Sequence, residues 1–298
     1  MPSSKKLGRF TQVLEARIVE SKRVIADGEP ETRAVSGRHA DSADQAAPRI
    51  ATYMVTLKLL LFALFVIPAG AQDAAMVNPK IVTVEFENDE VRVLRARYEP
   101  RDRLEMHSHP AKAEVQITEG TLRIFTPDGK WRDDPGKAGE FFWLEPTRHA
   151  VENTGNGPVE LVEIEMKNVT GLSRPVIAPE KTPVKGKDEP VPVEQEPHHR
   201  WIFENQYVRV LDVVLAPGES TLFHTHSHDN IAVRLTDSTV QEQPLDKEWG
   251  PPSKILPGDS RYMQGAHAPY THRVKNVGST PFHVMDIELL GENEPSKH

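Results

Sequence analysis

Short apolar runs and alternating apolar–polar stretches follow one another along most of the chain. Residues 91–96, 113–124, 140–144 and 159–166 are such runs, separated by Gly, Pro, Asp and Asn, and each predicts β-strand structure. Asp128-Gly129 marks a hairpin turn. No long amphipathic helix is evident here. The pattern then returns. Phe86-Glu87-Asn88 followed by Val91-Arg92-Val93-Leu94 recurs as Phe203-Glu204-Asn205 followed by Val208-Arg209-Val210-Leu211, an offset of 117 residues. His107-Ser108-His109 returns as His224-Thr225-His226 at the same offset. His149, followed four residues on by Asn153, returns as His272 with Asn276, now at an offset of 123. The second copy therefore carries six extra residues between its histidine motifs, and loops are the natural place for them.

Evenly spaced short strands in units of about ninety residues predict an all-β chain of two jelly-roll barrels or sandwiches. The units are 79–168 and 199–291. Between them, 169–198 is rich in proline and charge and lacks any strand or helix period, as expected of an extended linker. His198 and His199 at its end are read as solvated.

Composition narrows the chemistry. The chain has 298 residues, 25 of them proline, a formal net charge of -8 and no cysteine. The charge argues against a nucleic-acid partner, because phosphate binding needs a basic surface. Without cysteine there are no disulfides and no thiolate ligands, so any metal must be held by nitrogen and oxygen. From Met54 the chain reads MVTLKLLLFALFVIPAGAQ: a lysine, an uninterrupted apolar core and a small-x-small site at Ala69-Gly70-Ala71. That is the pattern of a secretory signal peptide over 54–71, too short for a comfortable membrane span. It predicts a periplasmic or secreted protein with no membrane attachment after cleavage. Residues 1–53 are then expected to be disordered or absent from the native protein, which N-terminal sequencing would check.

Two histidines at i and i+2 on a strand face the same way, and a third from a facing strand can close a site. His107, His109 and His149 form one such set; His224, His226 and His272 form the other. Three neutral imidazoles suit a divalent metal, Fe, Mn, Zn, Ni or Cu, and leave positions open for water or substrate.

These motifs resemble those of the cupin superfamily, G-x5-H-x-H-x(3,4)-E-x6-G and G-x5-P-x-G-x2-H-x3-N. Copy two has Gly218-x5-His224-x-His226, both copies keep H-x3-N, copy one keeps Gly120, and Gly139 and Gly258 approximate the start of the second motif. The resemblance covers roughly 80–168 and 199–291 and implies two tandem cupin (RmlC-like jelly-roll) β-barrels, a bicupin, that pack within the chain and form a homodimer. The departures are specific. Arg101 stands for the first glycine of copy one and Asp237 for the last glycine of copy two. Ala113, beside Glu114, and Asn230 stand where the family places its metal-binding glutamate.

Copy two is the better furnished, with His228 continuing the alternation and Asn230, Tyr262 and Tyr270 offering polar groups. Asn153 and Asn276 are read as turn formers. The expected activity is that of a metal-dependent, dioxygenase-type oxidoreductase on a small organic substrate. The alternatives are a non-catalytic ligand-binding or sensing protein, with or without metal, and, more weakly, a sugar or keto-acid isomerase.

Overall fold

A computed structural model of the chain describes residues 72–169, 171–176 and 189–291. The signal-peptide reading of 54–71, the extension 1–53 and the linker residues 177–188 lie outside the described residues. In the first copy the strands are β1 (Val82–Glu87), β2 (Val91–Tyr98), β3 (Arg103–His109), β4 (Lys112–Gln116), β5 (Gly120–Phe125), β6 (Trp131–Gly136), β7 (Phe141–Leu144), β8 (Thr147–Asn153) and β9 (Val159–Met166). They form two antiparallel sheets, β1-β2-β9-β4-β7 and β3-β8-β5-β6. After β10 (Val191–Pro192) and a 3-10 turn (Val193–Gln195), the second copy repeats the plan. Its strands are β11 (His199–Glu204), β12 (Val208–Leu215), β13 (His224–His226), β14 (Asp229–Arg234), β15 (Ser238–Pro244), β16 (Ser253–Ile255), β17 (Ser260–Met263), β18 (Tyr270–Asn276) and β19 (Phe282–Leu289). The sheets are β11-β12-β19-β14-β17 and β10-β13-β18-β15-β16.

The run 113–124 is two strands rather than one. At 117–119 the chain leaves the first sheet, the Ile117 N–H donating to Glu160 O and the Thr118 hydroxyl to Pro158 O. It enters the second sheet at Gly120, where a Cβ would stand 2.3 Å from a Val159 methyl. Only glycine admits that approach. Asp128-Gly129 does turn β5 into β6, with Gly129 at φ 81°.

The repeat reaches further toward the N-terminus than the sequence matches. β10 pairs in parallel with β13, and Asp73 makes the corresponding parallel bridge to Ser108 of β3. Asp73 also caps the four-residue helix α1 (Ala74–Val77). Residues 191–195, inside the stretch read as linker, are thus built into the second barrel, and Val193 and Glu196 are buried.

Strand register places the six extra residues of copy two. One lies in the bend at 227–228, one between β15 and β16, and four in the 264–269 loop between β17 and β18. The barrels meet through the outer faces of their first sheets. Trp143 stacks on Tyr207 and Phe203, and Phe141 packs on Phe203. This contact accounts for β9 being buried at every position: one of its faces lines barrel one and the other faces barrel two.

Candidate metal and ligand site

In each copy the H-x-H strand turns two imidazoles inward. His107 and His109 are buried while Ser108 between them is half-buried, and His224 and His226 flank Thr225 in the same way. In β3 a bulge between Leu104 and His107 lets both residues face the interior, although their spacing of three would place them on opposite faces of a regular strand. The third histidine comes from the neighbouring strand rather than a facing one. His149 lies directly opposite His107, and His272 directly opposite His224.

The nitrogens of His107, His109 and His149 lie within 4.8 Å of one another. In barrel two the equally tight group is His199, His224 and His226, with His272 adding an Nε2 only 3.3 Å from that of His226. His199 is therefore not solvated. It is buried at the start of β11, facing the histidine pair from the other sheet, its ring centroid 4.4 Å from that of His224. At the repeat offset its counterpart in barrel one is Val82, a core residue. His198, by contrast, is half-buried and turns to Glu196.

The donor set fits a divalent ion. His107 Nδ1 faces the Glu105 carbonyl at 2.7 Å, His109 Nδ1 a Glu165 carboxylate at 2.6 Å and His224 Nδ1 the Leu222 carbonyl at 3.0 Å. His199 Nδ1 faces Glu196 at 2.7 Å and His272 Nδ1 faces Glu242 at 2.6 Å. Donation from Nδ1 fixes the tautomer and leaves the Nε2 lone pair for a metal. Burial lowers the pKa of His107 to about 4 and holds His149, His224 and His226 well below the ordinary histidine range, so these rings are neutral at pH 7. His149 Nε2 lies 3.1 Å from His107 Nε2. Two imidazoles bound to one ion at about 2.05 Å, about 90–110° apart, place their nitrogens about 2.9–3.4 Å from each other. Both Nε2 pairs fall in that range.

The barrels differ in what surrounds the imidazoles. Register equates Asn230 with Lys112, because each pairs with the equivalent glutamate, Glu288 or Glu165. The interior position that the family fills with glutamate thus holds lysine in barrel one. Lys112 is fully buried, its ammonium 2.6 Å from Glu163 and 3.0 Å from Glu114. Burial opposes its charge, but the two carboxylates outweigh that and hold the ammonium above its ordinary pKa. Glu114 therefore faces the interior in a regular strand and pairs with lysine. Tyr98 and the apolar cluster around it fill barrel one.

Barrel two contains a cavity of about 100 Å³, lined by His199, His224, His226 and His272, by Asn230, and by an apolar wall that includes Val213, Val240, Ile255 and Phe282. Asn230 donates to Asp286 and accepts from the Tyr270 hydroxyl at 3.0 Å, so it is a wall residue tied on both sides. Tyr270 also stacks on His226. Tyr262 stacks on Phe86 of barrel one and donates its hydroxyl to Asp229, at the mouth. His228 lies half-buried in the bend between β13 and β14, outside the cavity lining. Asn153 and Asn276 hold turns: each donates to two carbonyls and accepts a backbone N–H two residues on.

No protein-family model and no curated protein matches the sequence. Solved structures do match the fold. AerE from Microcystis aeruginosa superimposes with a TM-score of 0.50 at 13% identity, covering 69% of this chain and 90% of its own. A cupin domain from Bordetella pertussis Tohama I is 28% identical over 33% of this chain and 96% of its own, with a TM-score of 0.28. Bacillus subtilis oxalate decarboxylase, a protein with Mn(II) centres, matches at 15% identity over 67% of this chain and 69% of its own, with a TM-score of 0.43. The likeness is one of fold: two tandem cupin-type barrels. The chain's two barrels carry histidine clusters suited to a divalent metal, of unequal surroundings.

Proposed function

We propose that this bicupin binds divalent metal through its histidine clusters and that the second barrel is where a small organic substrate meets the metal, in a dioxygenase-type oxidation. The observation that carries this reading is the convergence of four imidazoles on a cavity, three of them braced by a carboxylate or carbonyl at Nδ1. A redox-active ion bound there would supply a Lewis acid and a route for electrons to dioxygen. The protein's own part is to present neutral nitrogens, keep the walls apolar and leave the mouth open beside Tyr262 and Tyr270. Barrel one, filled by Tyr98 and the Lys112 ion pairs, has the structural role. The periplasmic or secreted address proposed for the protein rests on the sequence of 54–71.

A second reading, ligand binding without turnover, is favoured by the fourth histidine, since four imidazoles leave fewer positions for substrate and oxygen than three. Loading the metal-free protein separately with Fe(II), Mn(II) and Zn(II) and following dioxygen consumption with a panel of small organic acids separates the two. Oxidation supported by Fe(II) or Mn(II), but not Zn(II), and lost in His224→Ala is the expected result. Metal binding with no consumption under any loading would establish the binding role instead.

A further inference from the structure

Two arginines line the cavity of the second barrel, Arg234 half-buried on β14 and Arg261 more exposed on β17. Asn230, Ala232 and Arg234 alternate along β14 and line the cavity, as do Arg261 and Met263 of β17, opposite Ala232 and Asn230. Arg234 donates through Nη1 to the Ala232 carbonyl at 2.7 Å. Among the described residues neither guanidinium forms an ion pair. Burial, and then the neighbouring Arg261, push the Arg234 pKa down against the pull of Asp259, Asp286 and Glu242. Glu242 hydrogen-bonds His272 and Asp286 accepts from Asn230, and neither carboxylate closes to an ion pair with Arg234 or Arg261, though both act on them electrostatically. The half-buried Arg234 guanidinium makes one hydrogen bond, to a backbone carbonyl, so an anion in direct contact would offset its desolvation.

The placement suits a ligand that reaches both ends of the cavity. His199, Val213, Val284 and Arg234 form one cross-strand row over β11, β12, β19 and β14. Three strand spacings of about 4.8 Å put the backbones of His199 and Arg234 about 14 Å apart, and their side chains reach inward from there. Arg261 also borders the wider mouth cavity, together with Phe86, Tyr262 and Tyr270, so it stands where that mouth meets the interior. Register gives the counterparts in barrel one as Gln116 and Phe142, so the arginines belong to barrel two alone.

We infer that the second barrel holds a small organic carboxylate, its carboxylate gripped by Arg234 and Arg261 and its apolar body packed on Val213, Val240 and Ile255 toward the histidines. The guanidinium fork matches a carboxylate in two parallel hydrogen bonds. The small volume and the two acids already present favour a singly charged ligand over a phosphate ester. This assignment rests on the reading of barrel two as the ligand-handling barrel, but not on the metal being bound.

The test is calorimetric titration of the full-length protein, metal-loaded and metal-stripped, with benzoate and hexanoate, their amides, and inorganic phosphate. Carboxylates are expected to bind about tenfold or more tightly than their amides in both forms. Arg234→Gln and Arg261→Gln should each reduce that preference by about tenfold and leave metal content unchanged; if the Arg234 substitution fails to fold, the exposed Arg261 carries the test. Equal binding of acid and amide, no carboxylate binding up to about 10 mM, phosphate binding as tight as carboxylate, or a preference unchanged in the variants would overturn the assignment. A protein without metal that still prefers carboxylates through these arginines would refute the metal reading and leave this one standing.

Discussion

Arg101 adopts φ 72°, in the left-handed region, where the equivalent residue of copy two, Gly218, has φ 87°. The two turns make the same hydrogen bond, the backbone N–H donating to Asn153 O or Asn276 O. The sequence shows arginine replacing the motif's glycine, and the backbone keeps glycine's conformation regardless. A side chain there costs about 1 kcal/mol. Arg101→Gly is therefore expected to stabilise the protein by about 0.5–1 kcal/mol in urea denaturation, with metal content unchanged. Glu288 is a second strained residue. Burial, and then the nearby Asp286, push its pKa up to about 8 against the pull of Arg209. A carboxyl raised from the unfolded value keeps its full contribution below about pH 4.5, and loses it as pH rises through 8. Glu288→Gln should thus match or trail the wild type at pH 5 and gain on it, on the order of 3 kcal/mol, by pH 8. Denaturation curves at the two pH values check the sign.

At the scale of the element, the H-x-H strands were legible because alternation is a property of the sequence itself, and β3 and β13 do turn both histidines inward. Other features depend on register, which a sequence does not display. Lys112 takes the position opposite Glu165 because copy one has one residue fewer after its second histidine, so Ala113, in the motif's frame, faces out and Lys112 faces in. His199 stands in proline-rich, charged surroundings that read as linker. Its signal is that it precedes the repeated Phe-Glu-Asn by four residues, where copy one has an apolar Val82. Glu196 fixes this element. It accepts from the backbone N–H groups of His198, His199 and Leu222 and faces His199 Nδ1, and it is held down to about 2 despite burial, His199 being the main cause. Loss of such an outer carboxylate typically costs ten- to a hundredfold in metal affinity. Glu196→Ala should weaken metal binding in barrel two by about that factor, read by competition with a chromophoric chelator, while barrel one is unaffected.

At the scale of the whole molecule, the repeat has produced two barrels with different interiors. Val82, Tyr98, Lys112 and Gln116 fill or neutralise the first; His199, Leu215, Asn230 and Arg234 stand at the same places around the second. The two-barrel plan could be read from the repeat, because both motifs keep their spacing, whereas the division of labour follows from single substitutions inside otherwise matching strands. The shared face explains why both units are kept. Trp143 is buried between Phe203 and Tyr207, with its ring nitrogen donating to Glu145. Trp143→Ala should cost about 3–5 kcal/mol and, if the barrels unfold as one, split a single thermal transition into two.

On the proposed function, the histidine clusters hold metal and barrel two is a site in its own right. Elemental analysis of untagged protein, beside the double variant His224→Ala/His226→Ala, tests it most directly. Metal content is expected to fall by about one ion per chain in the variant, with the barrel-one triad still loaded. A wild type with no bound divalent metal, or a variant that retains the full complement, would contradict it.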